Sequence, residues 1–102
     1  MNLEKLFEME NRHREEIISL LTDVDDRYLR EIYNETFDKE RNTWNLFKEN
    51  DIDIGKYYDC KGILTNLRKC GIILWEYGYP YGINWFSINP EYRTILRKRY
   101  EI

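Results

Sequence analysis

The sequence predicts a mainly α-helical domain that carries one small β-hairpin. Three observations lead there. Apolar residues recur at helical spacing through residues 3–21, 29–37 and 60–67. A β-prone run, Ile72 to Tyr77, follows Gly71 directly, and a second run, Ile83 to Ile88, comes after a turn rich in Gly, Pro and Tyr. Helical periodicity and short aromatic or β-branched runs bounded by turn residues are the primary signals for these two kinds of element.

The first predicted helix covers residues 3–21. Leu3, Leu6, Phe7, Met9, Ile17, Ile18, Leu20 and Leu21 are apolar, around a polar middle at residues 10–16. Its C-terminal turns are the more amphipathic part. Residues 22–26 supply capping side chains and are read as a connection. A second helix follows, with Leu29, Ile32, Tyr33 and Phe37 on one side. Residues 38–43 are uniformly polar and predict a break, after which Trp44, Leu46 and Phe47 are expected to open a short third helix.

Residues 50–55, Asn-Asp-Ile-Asp-Ile-Gly, read as a turn, because Asn, Asp and Gly cap their own backbone or tolerate positive φ. The next helix is expected to begin near Lys56. Cys60, Ile63, Leu64 and Leu67 lie at i, i+3, i+4 and i+7 and define its buried side, leaving Lys56, Tyr57, Lys61, Thr65, Arg68 and Lys69 outside. Gly62 is out of place in a helix, where it costs about 1 kcal/mol relative to Ala; either a close approach to it or a slight bend accounts for it.

Gly71 is the expected helix stop. The two β-prone runs then form a hairpin around Gly78-Tyr79-Pro80-Tyr81-Gly82. Trp75 and Trp85 are expected to pair across it or to join the core. Asn89 caps the last helix, with Pro90 in its first turn and Tyr92, Ile95, Leu96 and Tyr100 on its apolar side.

Composition sets the class. With 102 residues, 42% hydrophobic and 34% charged, the chain has room for one modest core and the make-up of a globular protein. No apolar run approaches the roughly 20 residues that span a bilayer, and the first residues lack a secretion-signal pattern, so a cytoplasmic location is expected. The two cysteines, Cys60 and Cys70, fall about 15 Å apart along one helix and are expected to be free thiols. With one histidine, His13, the chain offers no zinc-ligand spacing. No nucleophile-base set, phosphate-binding glycine loop or cofactor motif is present, so no enzyme activity, metal or cofactor is expected. Residues 1–50 carry 8 basic and 13 acidic side chains, whereas residues 51–102 carry 8 and 6. Any nucleic-acid contact is therefore expected in the C-terminal half.

The order of elements resembles the winged helix-turn-helix family over roughly residues 27–100. Two segments carry the resemblance. One is Leu64-Thr65-Asn66-Leu67-Arg68-Lys69-Cys70-Gly71-Ile72-Ile73, similar to the end of that family's recognition helix. The other is Trp85-Phe86-Ser87-Ile88-Asn89-Pro90-Glu91, similar to the wing's return strand and the closing helix. The resemblance implies a fold that is mainly α with a hairpin wing and an extra N-terminal helix. Residues 1–24 would form that helix, a dimerisation element, and residues 25–102 the winged-helix domain. Residues 27–37 and 41–50 would be its first two helices, 55–70 the recognition helix and 72–88 the wing.

The function implied is a DNA-binding transcriptional regulator, acting as a homodimer on double-stranded DNA. Tyr57, Lys61, Thr65 and Asn66 would face bases, while Lys56, Arg68 and Lys69 would contact phosphates. Tyr77, Tyr79 and Tyr81 would form the wing, yet no Lys or Arg lies between Gly71 and Glu91, a departure that leaves affinity to the recognition helix, Arg93, Arg97, Lys98 and Arg99. A wing rich in tyrosine and lacking cations also suits a protein-docking module, the competing expectation.

Overall fold

A computed structural model describes residues 2–78 and 82–101 of the chain. Its elements are α1 (Leu3–Ser19), α2 (Asp23–Thr36), β1 (Phe37–Asp38), β2 (Thr43–Trp44), β3 (Phe47–Lys48), α3 (Cys60–Lys69), β4 (Ile73–Tyr77), β5 (Trp85–Ile88) and α4 (Arg93–Tyr100), with 3₁₀ turns at Glu49–Asp51 and Pro90–Tyr92. The fold is mainly α with small antiparallel sheets. None of the described helices is long and apolar enough to cross a membrane.

Three of the four described helices start at a side-chain cap, whereas α4 begins after Tyr92 with none, and Asn89, expected to cap it, caps the 3₁₀ turn before it. The Asn2 side chain accepts from the Glu4 N–H, Thr22 from Asp25 and Asp59 from Gly62, so one otherwise orphaned donor at each N-terminus is satisfied. Thr22 is thus the cap of α2, and Asp23–Asp26, read above as a connection, are its first turn. Three carboxylates there suit the positive end of the helix dipole.

Helix α2 is the centre of the molecule. Its Tyr28, Leu29, Ile32 and Tyr33 meet Leu64 and Leu67 of α3, Ile72 and Ile73 at the head of β4, Phe47, Phe86 and Ile88 of the sheet, and Leu96 of α4 in one buried cluster. Helix α1 joins it only at its C-terminal end, where Ile18 is buried and Ile17 and Leu21 pack against the cluster.

The expected helix at 41–50 is absent. The chain instead makes the hairpin β1–β2, with Phe37 opposite Trp44 and their rings 4.4 Å apart. The reason is local turn chemistry followed by long-range pairing. The Asp38 carboxylate accepts from the backbone N–H groups of Glu40 and Arg41, and Asn42 takes a left-handed φ of 53°, which Asn tolerates better than most residues. Phe47 and Lys48 then pair with Phe86 and Trp85 as strand β3, a contact across the chain that local spacing cannot disclose.

The helix expected from residue 55 begins at Cys60. Gly55 adopts φ 118° and its N–H is held by the Asp53 carboxylate, a turn that no helix can run through. Ile52 and Ile54 alternate with aspartates and are both buried, pinning this connection to the core. At the other end of α3, the Ile72 N–H bonds to the Leu67 carbonyl and the Gly71 N–H to that of Arg68, with Gly71 at φ 79°. This is a Schellman closure, and it turns the helix straight into β4.

The larger sheet has the order β3-β5-β4 and is antiparallel throughout. An irregularity between Trp75 and Tyr77 sets Trp75 opposite Phe86 and Tyr77 opposite Trp85. The two tryptophans therefore do not face each other. Trp75 is half exposed, with its indole N–H bonded to Asn84. Tyr79 and Tyr81 of the wing lie outside the described residues.

Candidate nucleic-acid interface

Helix α3 divides as its periodicity predicts. Ile63, Leu64 and Leu67 are buried and Cys60 is partly so, while Lys61, Thr65, Asn66, Arg68 and Lys69 are all exposed. Lys61, Thr65, Arg68 and Lys69 stand at i, i+4, i+7 and i+8 and share one side of the helix. Asn66, five residues after Lys61, is turned away from that row. Lys56 and Tyr57 are exposed but sit in the turn before the helix, with the Lys56 ammonium 5.1 Å from the Tyr57 ring centre. The structure thus brings four of the seven expected contact residues onto one side of α3 and leaves three beside it.

Two of the four already have internal contacts. The Thr65 hydroxyl donates to the Lys61 carbonyl one turn back, and the Arg68 guanidinium lies 5.4 Å over the Phe86 ring of β5. Arg68 therefore bridges helix and sheet while keeping its outer edge in water. Lys61 and Lys69 make no ion pair among the described residues.

Spatial arrangement adds what sequence reasoning missed. Thr65, Arg68 and Lys69 form one wall of a groove of about 420 Å³ whose other wall is Leu74 and Trp75 of β4. The groove exists because the Schellman turn folds β4 back along α3. The signal for it was the unbroken step from Lys69 through Gly71 into the β-prone run, but which of the strand's two faces would look at the helix was not legible.

Three of the C-terminal cations make internal contacts. Arg93 lies 5.3 Å over the Trp44 ring and Arg97 5.0 Å over Phe37, so both clamp the β1–β2 hairpin to α4. Arg99 pairs with Asp26 at 2.8 Å. These three arginines are structural contacts, and Lys98 borders a separate cleft together with Glu10, Glu15 and Glu91.

Among the described residues, no cluster of three or more His, Cys, Asp or Glu is placed to hold a metal ion. His13 is exposed on α1. Burial raises the hydroxyl pKa of Tyr28, Tyr33 and Tyr92, that of Tyr33 to about 12; these are phenols held neutral in the core. Compared with known proteins, the chain matches no family model, and neither a curated protein nor a solved structure shows significant similarity to it.

Proposed function

We propose that this chain is a winged-helix domain that binds double-stranded DNA through α3, in the role of a transcriptional regulator. The single observation that carries the reading is the row Lys61, Thr65, Arg68 and Lys69 on the exposed side of a helix that runs directly into an antiparallel hairpin. The strand order β3-β5-β4 behind that helix supports the winged-helix assignment, since β3 enters the sheet from between the first and last helices of the core. The middle helix expected at 41–50 is not formed, and residues 49–59 hold a 3₁₀ turn and two buried isoleucines before α3.

A major groove about 12 Å wide accepts a helix whose outer side carries donors. In this reading Lys61 and Thr65 face base edges, while Arg68 and Lys69 meet phosphates and set register. Anisotropy titration of mixed duplex DNA at two salt concentrations tests it: binding that falls steeply with salt is expected, and no binding at low salt refutes it.

A second reading is favoured by the hairpin. It contains no Lys or Arg, yet Leu74, Trp75 and Tyr77 are exposed on β4, the arrangement expected where aromatic anchors dock on a protein partner. If duplex DNA does not bind, Trp75→Ala should abolish capture of that partner while leaving the fold intact.

A further inference from the structure

Strand β4 is the outer strand of the larger sheet, whose order is β3-β5-β4, so among the described residues one of its edges has no strand beside it. The Ile72 carbonyl takes the Asn89 N–H on the β5 side. Backbone groups alternate along an antiparallel ladder, so Leu74 also faces β5, while Ile73 and Trp75 aim their N–H and C=O groups outward. None of the loop or turn bonds among the described residues reaches them. Proteins often blunt such an edge with Lys or Pro, and Ile73–Tyr77 contains neither. The irregularity after Trp75 limits the open stretch to its first three residues.

Those three residues, Ile73, Leu74 and Trp75, all line the groove that Thr65, Arg68 and Lys69 close from the helix side. Successive side chains of a strand point to opposite faces, so a groove that meets three in a row lies along the strand's edge. Trp75 shares a face with its ladder partner Phe86, and Arg68 lies over the Phe86 ring. Helix α3 therefore overhangs one face of the edge, and Leu74 looks out from the other.

We propose that this edge takes an extended acidic peptide segment of a protein partner, added as one more strand beside β4 and under Arg68 and Lys69. The inference rests on the reading of the hairpin as a docking surface and names what docks there. The backbone selects a polypeptide: the outward N–H and C=O groups need a ligand with both acceptors and donors along its chain, and a phosphodiester backbone has acceptors only. Charge selects the side chains. The described lining holds two cations and no carboxylate, and Lys69 makes no ion pair among the described residues. Alternate residues of the added strand, those facing α3, are therefore Asp or Glu, and the residues between them are apolar and cover Leu74, which is 37% exposed. Arg68 and Lys69 are also the phosphate contacts of the DNA reading, so peptide and duplex exclude each other.

Titration of the full chain with end-blocked heptapeptides, followed by nuclear magnetic resonance and anisotropy, tests it. One set alternates Glu with Val, Ile or Leu; a second carries Lys in place of Glu; a third keeps Glu but is N-methylated at every second amide, in either register. The Glu set is expected to shift the amide signals of Ile73 and Trp75 and to slow their hydrogen exchange. Methylation in one register should abolish binding and in the other leave it, the mark of strand addition. Lys69→Glu and Arg68→Gln should each raise the dissociation constant about tenfold or more, with circular dichroism unchanged. Equal binding by the two methylated registers, or a duplex DNA that moves Ile73 and Trp75 when no Glu peptide does, overturns the proposal. Lys peptides that bind at β4 as well as the Glu ones overturn the acidic partner and leave the docking reading standing. No peptide of either charge at β4 overturns both.

Discussion

The Tyr100 hydroxyl donates to the Asp26 carboxylate across 2.7 Å, joining the last turn of α4 to the first turn of α2. Arg99 Nε donates to the same oxygen at 2.8 Å. The two ends of the described core are tied by these contacts, one aromatic and one cationic. Removing the hydroxyl in Tyr100→Phe should cost about 0.5–1.5 kcal/mol of unfolding free energy, the usual net worth of such a bond, measured by chemical denaturation.

The same carboxylate gives stability an acid limb. Burial alone would raise the Asp26 pKa, but the bonds from Arg99 and Tyr100 and the charges of Arg99 and Arg30 outweigh it and hold the group below its ordinary value. A depressed carboxylate contributes stability that is complete above the unfolded pKa of about 3.9 and is lost as pH falls through the folded value. Wild type should therefore lose stability on acidification below about pH 4 more steeply than Asp26→Asn, when unfolding is followed across that range. Parallel curves would show that Asp26 has no such linkage.

If α3 is the DNA-reading helix, two neighbouring lysines should fail differently. Lys61→Ala is expected to lower affinity for a selected site by about 1–3 kcal/mol and to relax its sequence preference. Lys69→Ala should weaken all duplexes alike and reduce the salt slope by about 1. Anisotropy titrations of both variants against one selected and one scrambled duplex separate the two outcomes.

Gly62 has an internal explanation. A Cβ at that position would collide with the Asp59 carboxylate, which caps α3 by accepting the Gly62 N–H at 3.0 Å. Ala in place of Gly within a helix ordinarily gains about 1 kcal/mol, and loss of an N-cap costs about as much. Gly62→Ala should accordingly show no rise in melting temperature. In an Asp59→Ala background, where no cap remains to be displaced, the same substitution should stabilise.

Oxidation supplies a fifth check. Cys60 opens α3 and Cys70 closes it, so their separation of about 15 Å exceeds the roughly 7 Å Cα limit for a disulfide. Intact-mass measurement of mildly oxidised monomer should show both thiols still free.

Much of the helical framework was legible because each helix carries its own signals. Gly71 and the Asn89-Pro90 pair mark ends, and Leu29, Ile32 and Tyr33, or Ile63, Leu64 and Leu67, repeat at a period that only a helix satisfies. What escaped was set by partners far along the chain. Trp44 and Phe47 have helical spacing on paper, yet Trp44 stacks on Phe37 and Phe47 is recruited by Phe86. Arg93, Arg97 and Arg99 look like a free basic end until the hairpin and Asp26 occupy them. Lys61, Thr65, Arg68 and Lys69 were legible as exposed positions of α3, but Lys56 and Tyr57 fall before the helix and Asn66 is turned from the row, and the facing wall of Leu74 and Trp75 depended on the direction in which the strand leaves the Gly71 turn.

Asn89 makes two bonds at the base of the hairpin. Its side-chain amide donates to the Gly71 carbonyl and its backbone N–H to that of Ile72, each at 2.8 Å, so the entry and the exit of the hairpin are clasped at the base. Beyond the clasp β4 and β5 run together with β3 on the other side of β5, and Ile73, Phe86 and Ile88 carry the base of the hairpin into the core. In engineering terms the exposed side chains of β4, Leu74, Trp75 and Tyr77, are the positions open to substitution, while Gly71 and Asn89 keep the register of the scaffold fixed.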